Sequence, residues 1–462
     1  MISVKFIPRL GLPVLLALTV CLTPFAPLLA QTGRLPVSVD EIRSGDHNAD
    51  VPIAWFQLSL QLVKETPGYS PPVAARAFGY MGVTLYEAVV PGMESYQSLA
   101  GQVNGLTALP LVSPGQERHW PSVANAALAE IVRNLFPTAS PANLQAIDTL
   151  EDQFAEQFAL EVPADLLVQS QAHGWALARH IFKWSRSDGG HEAYLRGQPL
   201  DYTPPAAPGL WTPTLPSFGR ALLPRWGSNR PFVLNDSTVC APPPPPVYSP
   251  DPTSLTYAEA LEVYRTVKAL TPEQREIAIF WADNPGETAT PPGHSIAITT
   301  QVLQQEKASL DVAAVTYAQV GMALADAFIG SWQTKYTYNR LRPITYIQQV
   351  IDPTWNRDGI TDPVTTPPFP AYTSGHATEA GAAMTVLTAL FGEGYHFTDT
   401  THANRRLPSR AFTSFLQAAQ EAALSRLYGG IHFRSDNEAG LAQGICIGKK
   451  VQALRFQANS AP

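Results

Sequence analysis

Apolar residues recur at helical spacing along most of this chain. A period near 3.6 residues marks one buried face of a helix. Matches to that period predict ten helices, at Pro72–Val90, Ser122–Leu135, Ala142–Phe158, Ala164–Trp184, Tyr257–Leu270, Pro272–Trp281, Ala313–Lys335, Thr378–Phe391, Ala411–Leu427 and Asn437–Phe456. No segment sustains the alternation of a strand. The pattern therefore predicts an all-α fold built from helical bundles, two of them of four-helix type.

One long stretch, residues 188–252, interrupts the helical pattern. It holds 15 of the 43 prolines, including Pro242–Pro246, together with Trp211 and Trp226. A non-helical segment of this length inside a compact protein is usually a functional loop or a disordered linker. Its aromatic residues favour an ordered loop packed on the surface. We therefore expect a proline-rich loop insertion within one large domain that spans residues 31–462.

The first thirty residues are typical of an export signal. Lys5 and Arg9 precede an apolar run that ends at the small residue Ala30, which predicts a signal peptide over residues 1–30 with cleavage near Ala30. A membrane anchor is the alternative, weakened by three prolines within the run. No later run looks long enough to span a bilayer. The sequence predicts an exported protein, periplasmic or secreted, with no membrane span.

Composition narrows the function further. The chain has 462 residues, 45% hydrophobic and 15% charged, which argues against extensive disorder. Its net charge of -7 argues against a broad nucleic-acid-binding surface but leaves a local basic pocket open. Three cysteines are too few for a disulfide scaffold. Cys240 and Cys446, the two that follow the signal segment, could pair in an oxidising compartment.

Three polar clusters lie in the C-terminal part of the chain, over residues 313–456. The first joins Lys335 to Arg342-Pro343. A separation of seven residues is nearly two helical turns, so we expect both cations on one helix face, with Pro343 ending or kinking the helix. Two cations on a buried face would need an anion. The alternative is a charged face exposed to solvent.

The second cluster is Ser374-Gly375-His376, at the predicted start of a helix. A helix N-terminus offers free backbone N–H groups to an anion. Ser374 adds a hydroxyl, and Gly375 allows a close backbone approach. His376 adds a group that exchanges protons near neutrality. The alternative is an ordinary serine cap beside a surface histidine.

The third cluster is Ser425-Arg426, followed by His432 and Asp436. A Gly-Gly pair between Arg426 and His432 breaks the helix, so the two side chains could converge, and Asp436 could orient the His432 ring. The alternative is a helix–turn–helix with polar surface residues. Taken together, the three clusters predict a site for a tetrahedral oxyanion of charge about -2 to -3.

This set of motifs resembles the superfamily that unites vanadium-dependent haloperoxidases with type-2 phosphatidic acid phosphatases and bacterial acid phosphatases. The shared signature is Lys, six residues, Arg-Pro; then Ser-Gly-His; then Ser-Arg, five residues, His, three residues, Asp. All three parts occur here with those spacings and cover about 100 residues. One departure is that Pro370 lies four residues before Ser374, where many members carry proline directly before the serine.

The resemblance implies a cofactor and a role for each residue. The cofactor is orthovanadate, vanadium(V), which acts as a Lewis acid while hydrogen peroxide oxidises a halide to hypohalous acid. The implied catalytic residues are His376, His432 and Lys335. The implied cofactor ligands are Lys335, Arg342 and Arg426 for charge, Ser374 and Gly375 for hydrogen bonds, His376 for proton transfer and His432 for direct coordination of vanadium.

The choice between the two branches depends on length and aromatic residues. The chain is long for a bacterial acid phosphatase. Trp332 and Phe369 are placed to wall the pocket and exclude water, and the pairing of Trp332 with Lys335 resembles bacterial iodoperoxidases. Iodide, then bromide, is therefore the predicted substrate beside hydrogen peroxide. The alternatives are an acid phosphatase or phosphomonoesterase with His432 as nucleophile and a non-catalytic oxyanion-binding protein.

Some further polar residues have weaker signals. Asp283 could brace one of the arginines, and His294, after a Pro-Pro-Gly run, could face the cavity. His396 and His402 flank a polar loop, which predicts a surface position for both. The spacing of histidines, cysteines and carboxylates shows no zinc-type ligand set.

Overall fold

A computed structural model describes residues 43–110, 116–356 and 363–458. The predicted signal peptide lies outside these residues. The described residues form thirteen α-helices: α1 Asp50–Glu65, α2 Pro71–Val89, α3 Trp120–Leu135, α4 Pro141–Ala159, α5 Ala164–Ser185, α6 Leu255–Lys268, α7 Pro272–Phe280, α8 Thr290–Gln305, α9 Leu310–Tyr338, α10 Pro343–Val350, α11 Gly375–Phe391, α12 Phe415–Tyr428 and α13 Arg434–Gln452. Two short strands, β1 Phe397–Asp399 and β2 Arg410–Phe412, form an antiparallel hairpin. The all-α prediction is confirmed.

All ten predicted helices are present, and the sequence pattern misses three more. In α1 the apolar signal exists, because Val51, Trp55, Phe56 and Leu62 are buried at helical spacing. In α8 the opening Pro-Pro-Gly is typical of a turn, yet proline is compatible with the first turn of a helix. The helix predicted from Ala411 instead begins at Phe415, because the preceding residues belong to β2.

The core is organised around α9, which packs against α2, α11 and α13. At the crossing of α2 and α9 the backbones approach closely: a Cβ at Gly82 would lie 2.4 Å from the Tyr317 carbonyl oxygen. On length and apolarity alone α9 could cross a bilayer, so the prediction of no further run of that kind is wrong. However, 94% of its apolar window is buried inside the protein, as is typical of a core helix.

The stretch 188–252 forms no α-helix and is ordered against the core, which confirms the predicted loop. Its tryptophans are buried rather than spread on the surface, with Trp211 fully covered. Asp326 of α9 fixes the loop by accepting hydrogen bonds from three consecutive backbone N–H groups, over residues 232–234, at 2.6 to 3.2 Å. A Cys240–Cys446 disulfide ties the end of the loop to α13.

Candidate active site

Lys335 and Arg342 reach the same site from different elements. Helix α9 ends at Tyr338, where Asn339 adopts the left-handed conformation that asparagine tolerates. Arg342 then caps α10, and Pro343 occupies the first turn of that helix. The prediction that both cations project from one helix face is therefore wrong, and Pro343 starts a helix instead of ending one.

Lys335 is held by the loop that leads into α11. Its Nζ donates to the carbonyl oxygens of Pro370 at 3.0 Å and Ala371 at 2.9 Å, and also to that of Thr373. The side chain is fully buried. Burial and the neighbouring Arg342 lower the pKa of Lys335 well below its ordinary value. A bound anion would favour the charged form.

The two arginines are fully buried and only partly hydrogen-bonded. Arg342 donates from Nε to the Phe369 carbonyl and from Nη1 to the Ile431 carbonyl, both at 2.8 Å. Arg426 donates from Nη1 to the Trp281 carbonyl at 2.6 Å. Burial lowers the pKa of Arg342 to about 9 and that of Arg426 to about 10. Both guanidinium groups therefore lie in an environment that favours binding of an anion.

His432 presents one ring nitrogen to these cations. Its Nε2 lies 3.0 Å from Arg342 Nη1, and its Nδ1 lies 3.0 Å from Asp436 Oδ2. A guanidinium can only donate, so Nε2 accepts and Nδ1 carries the proton. Burial and the surrounding cations lower the pKa of His432 well below its ordinary value. The ring is a neutral imidazole whose Nε2 lone pair faces the cationic site and accepts from Arg342.

Behind His432, the predicted orienting residue Asp436 belongs to a larger carboxylate network whose other members have no signal in the motif spacing. Arg340 donates from Nη1 to Asp436 Oδ1 at 2.7 Å and from Nη2 to Glu259 Oε2 at 2.8 Å. The Asp436 backbone oxygen also accepts from the Ser374 N–H at 2.9 Å. The motif search misses both Arg340 and Glu259, because they contact each other and Asp436 rather than the oxyanion site.

The Ser374-Gly375-His376 segment lies at the start of α11, as the sequence predicts. Ser374 occupies the N-cap position, yet its Oγ makes no capping bond. His376 hydrogen-bonds the Ala282 backbone, and its pKa is lowered well below the ordinary value, chiefly by burial and by Arg426. The imidazole is therefore neutral and able to accept a proton.

Two aromatic rings cover the cations. The Phe369 centroid lies 5.1 Å from Lys335 Nζ and 4.9 Å from Arg342 Cζ. The Trp332 ring lies 5.8 Å from Lys335 Nζ and 5.0 Å from the Phe369 ring. Such contacts stabilise desolvated cations by about 0.5–2 kcal/mol each. Both residues predicted to wall the pocket therefore contact its charged groups.

Buried polar atoms that lack hydrogen-bond partners indicate whether an oxyanion fits this site. Four buried atoms have no hydrogen-bond partner among the described residues: Arg342 Nη2, Arg426 Nε, Ser374 Oγ and His376 Nε2. Buried polar groups are rarely left unpaired, because each costs about 1–3 kcal/mol. Within the described part of the chain, neither arginine nor Lys335 forms an ion pair with a carboxylate. A multiply charged tetrahedral oxyanion fits this set of donors.

Asp283 lies at the edge of the site, and among the described residues it forms no direct ion pair with Arg342 or Arg426. Its charge favours the protonated form of Arg426 through space, while its carboxylate contacts His294 Nδ1 at 2.8 Å and His402 Nε2 at 3.1 Å. His402 is only 3% exposed, so its predicted surface position is wrong. The β1–β2 connection folds inward, which the polarity of the loop does not reveal.

Comparisons with known proteins agree on one family. Residues 315–459 match the family described as the VCPO second helical-bundle domain. Vanadium chloroperoxidase from Curvularia inaequalis is 30% identical over 141 residues, which is 26% of this chain and 23% of that protein. A bacterial vanadium-dependent iodoperoxidase of known structure is 36% identical, with a TM-score of 0.79 over 88% of this chain and 96% of that chain. A holo-type bacterial vanadium-dependent chloroperoxidase, 16% identical with a TM-score of 0.63, shares the fold over 88% of this chain and 98% of its own.

Proposed function

The chain belongs to the vanadium-dependent haloperoxidase family, and we propose that it uses orthovanadate to oxidise iodide, and bromide next, with hydrogen peroxide. One observation carries the oxyanion site on which the proposal depends: Lys335, Arg342 and Arg426 are buried, have no carboxylate partner among the described residues, and all lower the pKa of His432. The reaction consumes one peroxide, one halide and one proton and gives hypohalous acid and water. The likeness to a bacterial iodoperoxidase at 36% identity favours iodide.

The cations and α11 would hold the oxyanion. Lys335, Arg342 and Arg426 supply three positive charges in a buried environment, where charge-assisted hydrogen bonds are strong. Ser374 Oγ and the N–H groups at the start of α11 supply further donors. A phosphate ion would satisfy the same donors, so charge alone does not distinguish a peroxidase from a phosphatase.

His432 would coordinate the metal through Nε2. Asp436 holds the Nδ1–H and thereby fixes both the tautomer and the ring orientation. Arg340 in turn fixes Asp436. When bound, vanadium(V) supplies a Lewis acid that makes peroxide reactive towards halide.

His376 would move the proton that the reaction requires. Its imidazole is neutral and its Nε2 has no partner among the described residues, so it can accept a proton from incoming hydrogen peroxide. It can then return that proton to the departing oxygen. Phe369 and Trp332 place apolar rings against the cations of the pocket and so limit the access of water.

Export of the protein is part of the same proposal. A signal peptide over residues 1–30 would direct the chain out of the cytoplasm. The Cys240–Cys446 disulfide supports this location, because disulfides persist in oxidising compartments.

The test follows halide oxidation and phosphate hydrolysis on the same preparation. Metal-stripped protein in phosphate-free buffer is assayed with and without orthovanadate, for oxidation of iodide and bromide by peroxide and for hydrolysis of an aryl phosphate. We expect vanadate-dependent halide oxidation, faster with iodide than with bromide, and little hydrolysis. His376→Ala should lose turnover but keep most of its vanadate affinity, and His396→Ala, outside the pocket, is the matched control.

Two other results would contradict the proposal. Hydrolysis of the aryl phosphate that vanadate inhibits, with negligible halide oxidation, would mean that the pocket serves phosphate chemistry. Vanadate binding without either activity would leave only an oxyanion-binding protein.

A further inference from the structure

A second buried polar cluster lies beside the oxyanion site. Asp283 follows α7, His294 lies in α8, and His402 lies in the connection between β1 and β2. One donor atom from each of the three lies within 4.8 Å of those of the other two. All three side chains are nearly inaccessible to solvent, at 1–3% exposure. Residues from three separate elements thus bring two imidazoles and a carboxylate to one point.

Two atoms of this cluster have no hydrogen-bond partner among the described residues. They are Asp283 Oδ1 and His402 Nε2, which lie 3.1 Å apart but outside hydrogen-bond geometry. A buried carboxylate oxygen and a buried ring nitrogen at this distance can share either a proton or a metal ion. A metal ion accepts lone pairs from directions that a shared proton cannot, so this geometry favours a metal.

His294 has the support that a metal-binding histidine requires. Its Nδ1 lies 2.8 Å from Asp283 Oδ2, and its Nε2 lies 2.7 Å from Asp399 Oδ2. The Thr401 N–H donates to the other oxygen of Asp399 at 2.9 Å and holds that carboxylate in place. A carboxylate that accepts from the remote ring N–H is the usual second partner of a metal-bound histidine.

The cluster also has access from outside. Asp283, His294 and His402 line a cavity of about 440 Å³ whose other walls include Glu287 and Asn404. The cavity offers an entry path for an ion and space for water at an open coordination position. The cavity brings solvent to the edge of the cluster, and a small movement of the side chains that cover the donor atoms would admit an ion.

We propose that Asp283, His294 and His402 bind a divalent transition-metal ion of the zinc type, with Asp399 as a positioning residue for His294. Two imidazole nitrogens and one carboxylate suit zinc, whereas calcium and magnesium prefer sites made almost wholly of oxygen. On binding, the proton on His294 Nδ1 leaves to solvent and the metal takes its place. This site is separate from the oxyanion site and does not depend on the proposed function.

The site would also support Arg426. The Trp281 ring stacks on His294 with centroids 4.4 Å apart, and the Trp281 carbonyl accepts from Arg426. Asp283 lies two residues after Trp281, and its negative charge favours the protonated form of Arg426. A metal that fixes Asp283 and His294 therefore fixes the segment that positions this arginine.

The first experiment titrates cobalt(II), as a spectroscopic substitute for zinc, into the full chain after chelator treatment and dialysis in phosphate-free and vanadate-free buffer. We expect one equivalent of tight binding with the intense visible bands of a four- or five-coordinate ion, abolished by one equivalent of zinc. Absence of tight binding, or only the weak spectrum of hydrated cobalt, would overturn the proposal. This test needs no variant, so a folding defect cannot obscure it.

Variants then locate the bound ion. His402→Gln and Asp283→Asn should each lose the tight equivalent, and Asp399→Asn should weaken binding by about 10- to 100-fold. His396→Gln, which removes a nearby histidine outside the cluster, should bind as the unaltered protein does. If folded His402→Gln and Asp283→Asn proteins, checked by circular dichroism, retain the full signal, the assignment is wrong. Because the readout is cobalt binding, a failure of this proposal is distinguishable from a failure of the proposed halide oxidation.

Discussion

Arg340 and Arg342 are two residues apart and both buried, yet their surroundings are opposite. Arg340 lies between two carboxylates, those of Asp436 and Glu259, at 2.7 and 2.8 Å. Arg342 has no carboxylate partner among the described residues and keeps one nitrogen unpaired. Burial lowers its pKa to about 9. The first arginine belongs to a neutralised network, and the second belongs to the cationic pocket.

The difference separates a structural charge from a functional one. A buried ion pair is internally satisfied, so removing one partner leaves an uncompensated charge. An unneutralised buried cation destabilises the protein. The free-energy cost of burying that cation is offset only when an anion binds. Both arginines therefore matter, but different measurements should reveal each of them.

The largest expected effects come from replacing each arginine with alanine. Arg340→Ala should lower the free energy of unfolding by about 3–5 kcal/mol, because two buried carboxylates lose their partner. Arg342→Ala, without vanadate, should lower it by less than Arg340→Ala does, because removal of an unneutralised cation partly offsets the lost hydrogen bonds to Phe369 and Ile431. The same variant should weaken vanadate binding at least about 100-fold. Urea denaturation and vanadate titration give the two values. Equal losses of stability in the two variants would contradict the distinction between a neutralised Arg340 and an unneutralised Arg342.

Asp436 joins the neutralised network to the pocket, so its replacement should affect both. Asp436→Asn should weaken vanadate binding by about 10- to 100-fold, because the His432 Nδ1–H loses its charged acceptor. Glu259→Gln is the matched control, since it disturbs Arg340 without touching His432. We expect that variant to lose stability while its vanadate affinity changes less than that of Asp436→Asn. The reverse order of affinities would show that the network does not act through His432.

Low pH should reduce the free energy of unfolding, because the buried histidines of the pocket are neutral in the folded protein. The folded-state pKa of His376 lies well below the ordinary value of 6.5, so the unfolded chain binds a proton first as pH falls. The contribution of His376 to stability is therefore fully present above pH 6.5 and declines below it, by up to about 1.4 kcal/mol per pH unit. His376→Gln should flatten this slope in denaturation curves recorded without vanadate. An unchanged slope, with His396→Gln as control, would exclude His376 as its source.

The smallest expected effect comes from the aromatic wall. Phe369→Leu keeps an apolar side chain but loses the ring that contacts Lys335 and Arg342. We expect vanadate affinity to fall by about 0.5–2 kcal/mol, with little change in stability. Vanadate titration measures the loss, and the iodide-to-bromide ratio shows whether the wall also affects the halide. A loss of vanadate affinity as large as that of Arg342→Ala would mean that Phe369 contributes more than its contacts with the two cations.

The prediction of the fold succeeded for most helices with long and regular apolar spacing, although it missed α1, whose buried residues follow that spacing. It failed for α8, whose first turn is rich in proline and glycine, and for the hairpin, whose strands of three residues are too short to show alternation. Helix α10 is similarly brief, with eight residues. Local signals of that length do not distinguish an element from a turn until packing selects one.

The sequence by itself determined which residues are candidates for the cationic pocket, and their chemistry there stays a prediction. The identity and order of Lys335, Arg342, Ser374, His376, Arg426 and His432 were enough to predict an oxyanion site, because few other uses bring those groups together. Lys335 and Arg342 were predicted to lie close together along one helix face. They do reach the same site, but they converge across the end of α9.

Only the tertiary structure decided which charges are neutralised. The motif spacing selects Arg342, but nothing in the sequence shows that Arg340 is neutralised, because its partner Glu259 comes from a distant helix. The same holds for His402, whose loop folds inward to meet Asp283. Electrostatic interactions depend on distance in space and on burial, and neither is a property of neighbouring positions in the chain.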